Sequence, residues 1–127
     1  MAFTQAPEGI NYQAVILDPN PIAMPGNNYS GQPLAKSPVQ IRFSLLNGTT
    51  LEYQETHQTH TDEYGLINLT IGKGIKLSTT TFDDIRWSDT LKTLQVEVKF
   101  SSATTFTEIS RNSLNYSPYA LYAKSVD

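Results

Sequence analysis

Alternation of apolar and polar residues with a period of two runs through most of this chain, and it leaves few folds open. A strand sends successive side chains to opposite faces, so this period marks strands that bury one side. In VQIRFSLL, Val39, Ile41, Phe43 and Leu45 fall on one face and Gln40, Arg42 and Ser44 on the other. GINYQAVILD places Ile10, Tyr12, Ala14 and Ile16 together, and LINLTIG does the same for Ile67, Leu69 and Ile71. TLQVEVKF aligns Leu94, Val96, Val98 and Phe100. LEYQETHQTHT reads as a long polar strand with Leu51 and Tyr53 at its buried end, and TFTEIS as a weaker strand around Phe106 and Ile109. Turn residues separate these runs at Asn47-Gly48, Asp62-Glu63-Tyr64-Gly65 and Gly72-Lys73-Gly74. The pattern predicts an all-β chain, an Ig-like antiparallel sandwich of six or seven short strands. With 127 residues there is room for one domain, residues 1–127.

Three segments break the rhythm. Asp18 to Pro38 holds five prolines (Pro19, Pro21, Pro25, Pro33 and Pro38). Proline removes a ladder donor, so the expectation is a long surface loop. TTTFDDIRW reads as a helical turn capped by Thr81, folding Phe82, Ile85 and Trp87 over one end of the sandwich. Residues 117–127 carry helix signals: Ser117 as N-cap, Pro118 at the first position, then Tyr119, Tyr122, Ala123 and Val126 on one stripe. A helix this short needs a surface to cover, whether its own sandwich or an oligomeric stalk beyond residue 127.

Composition removes several functional classes. The net charge of -3 is spread without runs, which argues against nucleic acid and against a polybasic membrane surface. The absence of cysteine excludes disulfides, thiolate zinc sites and cysteine nucleophiles. No stretch approaches the roughly 18 apolar residues of a membrane span. No charged-then-apolar leader follows Met1. That fits either a leader replaced upstream of Gln5 or a chain that stays in the cell.

The chemistry-bearing clusters each have a plain structural reading. ETHQTHTD contains Glu55, His57, His60 and Asp62, but strand geometry puts Glu55 and His57 on one face and His60 and Asp62 on the other. The expectation is a solvated polar strand rather than a metal site. Asp83-Asp84 and Asp62-Glu63 are sequence neighbours, which rarely converge on one substrate atom. Asp83-Asp84 fits better at the start of a helical turn. Calcium on Asp18, Asn20, Asp62 and Glu63 would match no known loop spacing. Gly72-Lys73-Gly74 lacks the further glycine and the helix of a phosphate loop and reads as a strand-end turn. Asn-x-Ser/Thr triplets begin at Asn28, Asn47, Asn68 and Asn115, as an Asn- and Thr-rich chain readily produces. Among aromatics in irregular segments, Trp87 reads first as a core plug and second as a ligand contact. Tyr29 is the better candidate for an exposed ligand or partner contact. No catalytic, cofactor or metal residue is assigned, and no cofactor is expected.

Five stretches in order carry a wider likeness: PEGINYQAVILD, QPLAKSPVQIRFSLLNG, YQETHQTHTDEYGLINLTIGKG, WSDTLKTLQVEV and SLNYSPYALYAKSV. Together they resemble the N-terminal β-sandwich module of exported Bacteroidota proteins of tail-fibre type, some of which carry a C-terminal chaperone-like peptidase domain. The middle portion is also similar to prealbumin-like and adhesin-stalk sandwiches. The resemblance implies an extracellular or cell-surface location, a signal peptide ahead of Gln5, and a stalk after Tyr119 that trimerises. Asp89-Thr90-Leu91 fits the short O-glycosylation pattern of such exported proteins. The proline-rich stretch departs from the family, where a short glycine-containing turn is usual, and becomes the place to look for individual specificity.

The expected function is therefore a non-catalytic structural or attachment module of a secreted fibre or adhesin. Its partners would be other domains of a longer fibre protein and further copies of the chain in a homotrimer. One alternative is a carbohydrate- or host-surface-binding module working through the long loop and Tyr29. Another is a fibre component of a phage tail or contractile injection machine.

Overall fold

A computed structural model describes residues 9–19, 22–24, 27–29, 31–85 and 92–114. The chain is all-β, with two antiparallel sheets as the layers of a sandwich. The small layer pairs β1 (Ile10–Val15) with β6 (Leu66–Ile71). The large layer also contains β4 (Pro38–Asn47), β5 (Thr50–His60), β7 (Ile75–Lys76), β8 (Lys92–Phe100) and β9 (Thr107–Leu114). Their order across the sheet is β7-β5-β4-β8-β9. Between β1 and β4 a separate two-stranded ribbon joins β2 (Ile22–Met24) to β3 (Asn27–Tyr29).

The period-two pattern sets the core directly. Val39, Ile41, Phe43 and Leu45 of β4 are all buried, flanked by Leu94, Val96 and Val98 of β8. Ile67 and Ile71 from the small layer are buried against them, with Ile10, Tyr12, Ala14 and Leu69 packed at their margin. The Tyr12 and Phe43 rings meet edge-to-face at 5.1 Å, which fixes one layer on the other. Each large side chain so buried contributes roughly 1.5–3 kcal/mol. A 3-10 turn at Phe82–Asp84 closes one end, with Phe82 and Ile85 buried and the Phe82 ring 5.7 Å from that of Tyr53. Thr81 is the N-cap, its carbonyl accepting Asp84 N–H at 3.0 Å, while its hydroxyl caps no backbone amide and donates instead to the Asp84 carboxylate at 2.8 Å.

Three expectations about strands need correction. First, Leu51 is not buried beside Tyr53 but 47% exposed. The pairing runs Leu45 with Tyr53 and then Leu46 with Leu51, so Glu52 is an extra residue in β5. A bulge of this kind breaks the alternation, and it sends Leu51 out while turning Glu52 toward the interior. Second, the last strand does not stop near Ser110 but continues to Leu114, with a register shift of its own opposite Val96 and Glu97. Third, the segment from Asp18 to Pro38 is not a featureless loop. Its root is laddered, with Asp18 N–H donating to Gln32 O and Leu34 N–H to Ile16 O, and its outer part forms the β2–β3 ribbon. All five prolines fall outside the ribbon's paired residues. The helix read at residues 117–127 lies outside the described residues.

The Glu52 bulge has an energetic partner. Lys92, first residue of β8, is 1% exposed on the core side, and its Nζ lies 2.7 Å from Glu52 Oε1. The two atoms are close but not aligned as a directed hydrogen bond, and neither finds another partner among the described residues. Charges withdrawn from water in this way are held only by each other. Glu52→Ala should therefore lower the unfolding free energy by about 3 kcal/mol, because it strands the ammonium. The double variant Glu52→Leu, Lys92→Met should recover most of that loss. Urea unfolding of the three proteins checks this, and equal destabilisation by the single and double changes would contradict it.

Candidate functional site

The most concentrated chemistry among the described residues lies inside the sandwich. Beyond the bulge, β5 regains its alternation and directs Tyr53, Glu55 and His57 toward the core, opposite Leu45, Phe43 and Ile41. Glu55 is fully buried. The Tyr53 hydroxyl donates to its Oε1 at 2.5 Å, and Gly72 N–H donates to the same oxygen at 2.8 Å. Gly74 N–H donates to Oε2 at 3.3 Å, and His57 Nε2 also bonds Oε2. Since a carboxylate only accepts, Nε2 carries the proton in this contact. Phe43 stands edge-on to the imidazole at 5.4 Å.

Glycines make this convergence sterically feasible. Gly72 adopts φ +110, and a Cβ there would meet the Phe82 ring at 3.2 Å. A Cβ on Gly74 would lie 2.6 Å from both His57 Nε2 and Thr56 O. The Gly72-Lys73-Gly74 turn thus binds an anion after all, although the anion is a side chain of the same protein. Burial pushes the Glu55 carboxyl up, but hydrogen bonds from His57, Tyr53 and Gly72 N–H, with the electrostatic pull of His57, outweigh it. The net result is a pKa below the ordinary glutamate value.

The expectation of a solvated polar strand is therefore overturned for Glu55 and His57. Strand parity does separate Glu55 and His57 from His60, and the face that carries the pair is the core. His60 and Asp62 are exposed and separate from them. Asp62 Oδ1 accepts Tyr64 N–H at 2.8 Å and Leu66 N–H at 2.9 Å, which organises the β5–β6 turn. No group of three acidic or histidine side chains is placed to hold a metal among the described residues. Asp84 is exposed and bonded to Thr81. Of Tyr29 only the backbone is described, in β3 opposite Ile22. Asn20, Trp87, Tyr119, Tyr122, Ala123 and Val126 lie outside the described residues.

The outward face of the large sheet holds a second feature that pattern reading passed over. Gln58, Gln40 and Lys99 stand abreast on β5, β4 and β8. They line an open groove of about 420 Å³ with His60 and the exposed Pro38, and it ends where Val39 and Phe100 turn their side chains to the core. A next-row contact closes its neighbouring ground, where Arg42 grips Glu97 through two bonds of 2.8 and 3.0 Å. The guanidinium also lies 4.1 Å from the centre of the Phe106 ring. Register alone could have flagged this row once the strands were paired.

A lowered folded pKa means that Glu55 stabilises the protein fully above its unfolded pKa, near 4.3. That contribution is lost as pH falls through the lower, folded value. Glu55→Gln should lower stability at neutral pH by about 2 kcal/mol, since the amide matches only part of the donor set. It should also flatten the fall in melting temperature on acidification, and parallel pH profiles for the two proteins would refute the assignment. No protein-family model matches the sequence, and no curated protein or solved structure matches it either.

Proposed function

We propose that this chain is a non-catalytic structural module that caps or anchors a secreted or cell-surface fibre or adhesin. One observation carries the reading: the Glu55 cluster, which has the makings of a reactive site, spends its acceptor capacity on internal donors. Tyr53, His57 and two backbone amides hold the carboxylate between layers, where it braces the fold. The likeness of the five sequence stretches to exported fibre modules supplies the context, an extracellular chain continued by an oligomeric stalk. Tail-fibre use in a phage or injection machine is a variant of the same role.

A second reading gains support from the shape of the Asp18–Pro38 segment. Its laddered root and β2–β3 ribbon present Tyr29 on a paired strand rather than on a slack loop, and such a ribbon is suited to touching a glycan or host surface. Negative-stain imaging of the full-length polypeptide, gold-labelled on this ribbon, is expected to show an elongated particle with the label near one end. A compact particle would remove the fibre reading. Loss of cell-surface binding on Tyr29→Ala, with assembly intact, would favour the second.

A further inference from the structure

The outward face of the five-stranded sheet is chemically divided. On one part of it, polar side chains are used on each other. Arg42 holds Glu97, Gln54 Nε2 donates to Ser44 Oγ at 2.9 Å, and Gln95 and Arg111 both donate to Glu108. Around the groove the reverse holds. The side chains of Gln40, Gln58, His60 and Lys99 make no hydrogen bond or ion pair among the described residues. Lys99 has only the Phe106 ring, 5.8 Å away. Amide, imidazole and ammonium groups with unspent hydrogen-bonding capacity thus collect at this concavity, while the flat part of the face is internally satisfied.

Three properties narrow what such a groove would hold. No Asp or Glu lines it, although acidic residues outnumber basic ones in the chain, so a negative ligand meets no repulsion there and finds Lys99 free. The strands beneath it, β4, β5 and β8, are interior to the sheet. Their backbone ladders are occupied, so an extended peptide gains no strand-addition bonds on this face. The row from Gln58 through Gln40 to Lys99 spans two strand spacings, about 10 Å. That row offers amides and an ammonium beside the exposed apolar ring of Pro38. A pyranose presents the matching combination, hydroxyls at its rim and C–H groups on its face, and a carboxylate on the ring would pair with Lys99.

The geometry points to this groove as a binding site for a short acidic glycan, a run of uronate-type sugars. Lys99 takes the carboxylate, Gln40 and Gln58 take ring hydroxyls, and the Pro38 ring supports the sugar face. The site is separate from the β2–β3 ribbon, and it goes beyond the mounting role without depending on it.

Titration with a galacturonate trimer, followed by amide chemical shifts of the whole chain, tests the assignment, with maltotriose and triglutamate as neutral-sugar and acidic-peptide probes. The galacturonate trimer should bind at least about tenfold more tightly than either, and more weakly as salt rises. Shifts should centre on residues 38–40, 58–60 and 99–103. Lys99→Gln should reduce galacturonate affinity about tenfold toward the maltotriose level. Gln58→Glu, which adds a charge without touching Lys99, should do the same. Arg111→Gln, on the satisfied part of the face, should leave binding unchanged. Absent binding, equal binding of maltotriose or triglutamate, shifts centred elsewhere, or indifference to both groove variants would each overturn the proposal.

Discussion

The carboxylate of Glu55 is the point on which the two layers depend. It belongs to β5 of the large sheet, yet two of its donors are backbone amides in the turn through which the chain leaves the small sheet and enters β7. A hydrophobic core resists separation but is indifferent to small slides between layers. Directional bonds to a buried charge are not. Once Tyr53, His57, Gly72 and Gly74 converge on one carboxylate, the small sheet has a single angular and translational position over β4 and β5. Phe82 then packs beside Gly72 and Tyr53, covering the same corner with apolar surface.

A second buried charge, Lys92, meets Glu52 three residues before Glu55 on the same strand. The two sites are chemically unlike. Glu55 is held by several aligned donors, the condition under which a buried ion is tolerated, whereas Lys92 and Glu52 have proximity without alignment. The former contributes rigidity. The latter is better understood as the consequence of the β5 bulge, which turns an acid inward and requires a cation to meet it.

Most of the architecture was legible from alternation alone, because β6 and β8 obey it throughout and β4 departs only at the buried Ser44, and the core they form is the one the pattern implied. What remained hidden follows from events that alternation does not encode. The bulge at Glu52 reverses the parity of Leu51, and nothing local announces it. Glu55 and His57 look solvated because polar residues usually are; their burial is decided by glycine amides about 17 residues further along the chain. The β2–β3 ribbon is hidden because five prolines in one segment oppose strand pairing, although none of them occupies a paired position of the ribbon. The groove residues Gln40, Gln58 and Lys99 are unremarkable in sequence and become neighbours only through the β5-β4-β8 register.

The root of the Asp18–Pro38 segment is secured by main-chain groups. Ile16 N–H donates to Gly65 O, Lys36 N–H to Asp62 O, and Thr61 N–H to Ser37 O, in addition to the bonds that link residues 16–18 with 32–34. Main-chain bonds carry no record of side-chain identity, and lengthening an already long connection adds little closure entropy. The root bonds therefore place no demand on which side chains the connection between them carries. A segment seated in this way can be exchanged or extended without touching the bonds that hold it, much as antibody frameworks tolerate new hypervariable loops.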